Sequence, residues 1–462
     1  MISRTRSAVV MTMAAALVAM LALAGCGSSS KGLDLGGSSK DLTTTRALGA
    51  LEARIVNADR TPAAGQAVLV SGTRAATTSI SVTTDARGII RLGSLAPGNY
   101  QLLIGAVAFR APIEAGQVTT RLYNLGQPNV TRTDLGEMFI LNGLGQTLSR
   151  LDTETGTIAN NVVKTGKWPN AVAFYKGIGY IVNSGDNSIQ RFNPVDGKTI
   201  DTTDLGAGRN PYYIAFWQDK AFVTNLLANQ VQVLNLAEDK PVLGKTIDVG
   251  TQPSGLVVTN DKVYVFCTGA SWVGSDVTYA QGTVHVLNAG TETVEAVLEL
   301  GEKSNPQAGV VGAEGHVYVL CTGDYQTVGS SVLRVNARSN TLDGAPLPLT
   351  REGGLVSARA ITIAPNGRAF IADQSGARIH VVDTKEHKVL RTGRNALDQG
   401  GNPLDLAASA NGLVWVFNFS DDQVRAFDAG SYARRYGPLG AGDGPMYGGT
   451  RERQPAAAVA VR

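Results

Sequence analysis

Between residues 138 and 418 the apolar residues fall into short runs, each opened by an aromatic side chain and closed by a turn. The aromatic residue is Phe139, Tyr180, Phe222, Tyr264, Tyr318, Phe370 or Trp415, so the pattern occurs seven times. Tyr180-Ile181-Val182-Asn183 and Tyr318-Val319-Leu320-Cys321 are typical, and such runs of β-branched and aromatic residues between turns read as strands. A second position follows about ten residues later and is always Asn or Asp: Asp152, Asn193, Asn235, Asn288, Asn336, Asp383 and Asp428. A third opens another strand at Pro169, Pro211, Pro253, Pro306, Ala358, Pro403 and Pro455. Short strands repeating at roughly 40–50 residues are the mark of a β-propeller, and seven copies predict seven blades over residues 136–462. Phe139 has no Pro strand just before it, and the Pro strand 455–461 has nothing after it. The expectation is that strand 455–461 becomes the innermost strand of the first blade, closing the ring and removing two exposed edges.

Upstream the pattern changes. Strand-like runs lie at 51–56, 67–70, 79–83, 89–92, 100–104 and 118–122, separated by the turns Asp85-Ala86-Arg87-Gly88 and Ala96-Pro97-Gly98-Asn99. Residues 50–126 therefore read as a small β-sandwich. Residues 26–49 are rich in Ser, Gly and Thr without hydrophobic periodicity and read as a flexible tether. Before them, Arg4 and Arg6 precede an apolar stretch from Ala8 to Leu23, then Leu23-Ala24-Gly25-Cys26, the layout of a secretory signal peptide over residues 1–25.

The charge and composition narrow the function classes. The chain carries +3 at pH 7, and removing residues 1–25 takes away Arg4 and Arg6 and no acid, which leaves +1. A dedicated nucleic-acid binder usually shows a strong basic excess, so nucleic acid is not the expected partner. The 54 glycines and 17% charged residues suit a many-turned all-β protein.

The repeated polar positions have structural readings. Asn or Asp before a turn such as Asp152-Thr153-Glu154-Thr155-Gly156 accepts backbone N–H bonds. The aromatic position reads as a core stripe between blades. His285 and His380 share one repeat position, on different blades and too far apart to share an ion. No zinc spacing, haem site or nucleophile elbow is present, so no catalytic residue, metal or cofactor is assigned. Cys267 and Cys321 also share a position on adjacent repeats. Packed sheets lie about 10 Å apart, beyond the roughly 7 Å between Cα atoms that a disulfide allows, so two buried thiols are expected. Two loops on one face are enlarged: 269–282, with Trp272 and Tyr279, and 323–331, with Tyr325. The inter-blade connections on that face add Trp168, Arg209, Tyr212 and Arg394. Long loops on one face of a repeat array mark a binding face, and aromatics with Arg suit an interaction hot spot.

Three resemblances add to this. Leu23-Ala24-Gly25-Cys26 resembles the bacterial lipoprotein lipobox, which implies acylation of Cys26 and anchoring in a membrane. Gly27 rather than Asp after the Cys implies the outer membrane, with a periplasmic or surface face. Residues 62–70, Thr84 to Ile89 and Leu95 to Tyr100 are similar to the carboxypeptidase regulatory-like domain, a transthyretin-type sandwich that usually acts as a spacer or adhesion module. Tyr180 to Ile189, with Gly208-Arg209-Asn210-Pro211-Tyr212, resembles the YVTN-type β-propeller repeat. Together they imply an envelope lipoprotein whose propeller binds an envelope protein, a glycan or a small ligand without catalysis. A lactonase-like hydrolase and a nucleic-acid-binding propeller are the alternatives.

Overall fold

The computed structural model of this chain describes residues 48–72, 79–273, 276–312 and 314–451. The signal segment, Cys26, most of the tether and the 455–461 segment lie outside the described residues.

The N-terminal unit is two four-stranded sheets. In one, Gly49–Val56 lies between Ile89–Leu95 and Val118–Asn124, with Thr131–Arg132 beyond; in the other the order is Ile80–Thr83, Ala67–Gly72, Gly98–Ile104, Val107–Ile113. Alternate residues point inward, so Tyr100, Leu102 and Ile104 share a core with Leu51, Ala53, Ile55 and Phe109. Besides the two-residue Thr131–Arg132, the strand that sequence reading passes over is Val107–Ile113. It lies at a sheet edge, where Pro112 is tolerated because its missing N–H faces no partner.

Downstream, seven antiparallel sheets follow one another, each with four strands on its main path. Their innermost strands are Pro445–Thr450, Pro169–Tyr175, Pro211–Trp217, Pro253–Thr259, Pro306–Val311, Ala358–Ile363 and Pro403–Ala408. Each touches the next and the last meets the first, so the sheets form a closed ring around a channel. This is a β-propeller. The seven aromatic residues are all buried between sheets. All seven Asn or Asp side chains accept a backbone N–H two or three residues on, as from Val195 to Asn193 and Gly430 to Asp428. Cys267 and Cys321 are buried free thiols.

The closing strand differs from the sequence expectation. Pro445–Thr450, not 455–461, pairs antiparallel with Glu137–Asn142, matching Pro445 to Asn142 and Thr450 to Met138. The reason is space. Innermost strands crowd together near the axis, and a Cβ on Gly448 would lie 2.3 Å from the Phe417 ring. The glycine-rich Pro445-Met446-Tyr447-Gly448-Gly449 fits there, although 455–461 looks more strand-like by composition.

The sandwich docks at the end of the ring where the Asx turns lie, here termed the base. Six charged side chains form an ionic cycle across the joint. Asp85 meets Arg91 at 3.0 Å, Arg91 meets Glu52 at 3.0 Å, and Glu52 meets Arg451 at 2.5 Å. Arg451 meets Glu137 at 2.7 Å, Glu137 meets Arg87 at 2.8 Å, and Arg87 returns to Asp85 at 3.9 Å. Glu52 and Arg54 have no exposed surface, and Arg54 is itself paired with Asp152. Arg451 follows the closing strand directly, so the residue that ties sandwich to ring also ends the ring closure.

Candidate functional site

The opposite end of the ring, the mouth, is where the innermost strands begin. In every sheet the first residue of that strand pairs with the last residue of its neighbour: Pro169 with Asn183, Pro211 with Asn225, Pro253 with Cys267, Pro306 with Cys321, Ala358 with Asp373, Pro403 with Asn418 and Pro445 with Asn142. A register shift follows each time, so the next residue has no cross-strand partner. Bulges of this kind re-aim a side chain. Here the bulge residues Asn170, Tyr212, Ser254, Gln307, Arg359, Leu404 and Met446 all line one cavity of about 250 Å3 in the channel.

The ring of bulge residues is lopsided. Asn170, Tyr212, Ser254, Gln307 and Arg359 make a polar arc. Leu404 and Met446 make an apolar one that continues into Phe419 and Leu144. The Arg359 guanidinium reaches across the channel to the Tyr212 hydroxyl at 2.8 Å. Deeper in, the hydroxyls of Tyr213 and Tyr447 are 2.6 Å apart. Burial pushes the Tyr213 phenol up to about 12 and Tyr447 further, so both stay neutral. Asp405 also faces the cavity. Burial pushes its carboxyl up to about 7, against the N–H groups of Leu406 and Gly448 and the charge of Arg359, which favour the anion.

The enlarged loops stand over this arc. Residues Ala270–Val273 and Asp276–Tyr279 form an antiparallel hairpin. At its end the Tyr279 ring lies 6.0 Å from Tyr325, and both rings, with Tyr212, lie within the electrostatic reach of Arg359. The 323–330 loop is held by Asp324, which accepts N–H bonds from Gln326, Thr327 and Val328 and lies 3.0 Å from Lys303.

Of the seven residues singled out in the sequence, only Tyr212 lines the cavity; Tyr279 and Tyr325 pair beside it near Arg359, and the other four stand apart. Arg209 is tied to Gln230 at 2.5 Å in the wall between two sheets. Trp168 packs against Gly185. Trp272 lies on the hairpin, its indole N–H buried without a hydrogen-bond partner among the described residues. The Arg394 side chain is 83% exposed and paired with Glu352. Arg359, Asp405, Gln307 and the Tyr213–Tyr447 pair were not anticipated. The signal for the first and third was present, since the residue after each Pro position is the one that the bulge turns inward. His380 bonds Thr392 through Nδ1 and stands 3.6 Å from Asp373, a buried pair within its own sheet. No group of three or more His, Cys, Asp or Glu that could hold a metal occurs among the described residues.

The fold thus defines a β-propeller with a lined channel mouth, and known structures agree on that class. No protein-family model matches the sequence, and no curated protein matches it. Among solved structures, hydrazine synthase of Kuenenia stuttgartiensis aligns over 65% of this chain and 94% of its own, with TM-score 0.55 and 15% identity. A protein of Bacteroides fragilis provisionally described as a 6-phosphogluconolactonase aligns over 68% of this chain and 97% of its own, with TM-score 0.55 and 14% identity. The likeness at such identities is one of fold.

Proposed function

We propose that the chain is a lipid-anchored protein of a bacterial envelope, held at an acylated Cys26 and facing the periplasm or the surface. In this reading a transthyretin-like sandwich carries a seven-bladed propeller, and the mouth of its channel binds a glycan, a small ligand or a segment of another envelope protein without transforming it. The observation that supports this most is the inward turn of all seven bulge residues, five polar and two apolar, into one cavity. Concave sites with an apolar lining and a few convergent polar groups are the usual form of a ligand site. The described chain begins in the sandwich, which docks at the base, opposite the mouth.

Two experiments test the two halves. Cys26→Ser should move the protein from the membrane fraction to the soluble one, and retention would remove the anchor. Crosslinking in cells should capture a partner or glycan that is lost when Tyr212, Tyr279 and Tyr325 are changed to Ala in a protein of unchanged melting temperature. Capture that survives all three changes would dismiss the mouth. A lactonase-like reading has one observation in its favour, the Asp405 carboxyl near pKa 7 in a cavity, suited to acid–base work at neutral pH. Turnover of a lactone or ester that Asp405→Asn abolishes would replace the binding reading.

A further inference from the structure

We propose that the channel cavity receives a small organic carboxylate, its acid group on Arg359 and Tyr212 and its ring or chain against Leu404 and Met446. This rests on the channel mouth being the binding site and names the class of ligand it takes.

Arg359 is the starting point. The molecule places several arginines in poorly solvated positions and gives them carboxylates: Arg54 has Asp152, Arg191 has Asp201, Arg132 has Asp134 and Glu154, and Arg451 has two glutamates. Arg359 is the only Lys or Arg lining the cavity, and no carboxylate pairs with it among the described residues. Among the described residues, its one hydrogen-bond acceptor is the Tyr212 hydroxyl. A guanidinium has five N–H donors in a planar fork that matches a carboxylate in bidentate fashion. A cation held in a cavity without a counter-charge is costly, and an arriving anion removes that cost.

The other side chains of the cavity restrict the anion. Its charged and titratable groups are Arg359, Asp405, Tyr212, Tyr213 and Tyr447, from four of the seven innermost strands. Burial keeps the Asp405 carboxyl largely protonated below pH 7, where it neither occupies Arg359 nor repels an anion and can donate to a ligand oxygen. One guanidinium beside a neutral acid matches one negative charge. A phosphate monoester, carrying nearly two, would find no second cation here. Leu404 and Met446 call for an apolar body. A dry cavity of about 150 Å3 is enough for benzene, so about 250 Å3 accommodates an aromatic ring with its carboxylate.

Asp405 makes the site sensitive to pH. Above its pKa it becomes the counter-ion of Arg359, and the carboxylate must compete with it. Affinity should fall as pH rises above about 7, approaching a limit of about tenfold per pH unit for one linked proton. Burial keeps Tyr213 and Tyr447 neutral through that range.

The test is titration of the mature protein with 4-fluorobenzoate and its neutral counterpart 4-fluorobenzamide, followed by fluorine NMR, with inorganic phosphate as competitor. The carboxylate should bind at least tenfold more tightly than the amide at pH 6. That preference should vanish in Arg359→Gln and persist in weakened form in Arg359→Lys. Phosphate should not compete, because it has no apolar body to set against Leu404 and Met446. Asp405→Asn should bind as well at pH 8 as at pH 6. Equal binding of acid and amide, competition by phosphate, or an acid preference that survives Arg359→Gln would overturn the inference. If carboxylates fail but a captured glycan or envelope protein is still lost on changing Tyr212, Tyr279 and Tyr325, the anion inference falls and the mouth stands. If mouth substitutions alter no binding of any kind, both fall.

Discussion

The two ends of the propeller treat arginine in opposite ways. At the base, Arg451 lies between Glu52 and Glu137 in a closed cycle of alternating charge. At the mouth, Arg359 leans on the Tyr212 hydroxyl over a cavity of about 250 Å3. The same side chain is thus a structural tie in one place and an available donor in the other, and what separates them is whether it is paired with an ionised carboxylate. Burial alone does not distinguish a functional arginine from a structural one. Its unmet charge does.

The largest effect should come from the ring closure at the base. A chain ending after Gly444 lacks the strand that pairs with Glu137–Asn142 and should lose cooperative unfolding, whereas one ending after Arg451 should melt like the full chain. Equal melting of the two would mean that the closing strand adds little. Next comes Arg451→Ala, which strands two buried glutamates and should cost about 3–5 kcal/mol in urea denaturation. Removing Glu52 and Arg451 together should cost less than the sum of the single changes, because they share one network. At the mouth the contrast should reverse. Arg359→Gln removes a charge with no counter-ion and should leave the fold as stable or more stable while abolishing carboxylate binding. Similar destabilisation by the two arginine substitutions would erase the comparison.

The smallest effect concerns Asp405. Its folded pKa is raised to about 7 from an ordinary value of 3.8, so the folded state holds the proton more tightly than the unfolded chain. The stability it contributes is fully present below about pH 4 and is lost as pH rises through about 7. Asp405→Asn should flatten that part of the pH–stability curve, and an unchanged slope between pH 4 and pH 7 would show that the carboxyl is not held protonated.

Much of this architecture is legible from residue spacing, because period and turn chemistry are local. Phe139, Tyr180 and their equivalents mark the second strands, and Asp152 and its equivalents cap the turns as expected. The closing strand was misplaced because its fitness depends on a non-local quantity, the space beside Phe417, which favours Gly448 over a β-branched residue. The mouth was half legible. Loop length pointed to Tyr279 and Tyr325, but it also pointed to Trp272, and the inter-blade connections pointed to the exposed Arg394. Arg359 sits in a strand without an opening proline, and its value comes from facing Tyr212 across the ring. Spacing cannot show which residues meet across a channel. Asp405 carries no sequence signal at all, since its shifted acidity follows from enclosure.

The most direct measurement is anomalous diffraction from crystals of the mature protein soaked with 4-bromobenzoate. The account places a bromine peak beside Leu404 and Met446, with carboxylate density on Arg359, and no peak at the base beside Arg451. An empty channel, or a ligand seated elsewhere with Arg359 still bonded only to Tyr212, would contradict it.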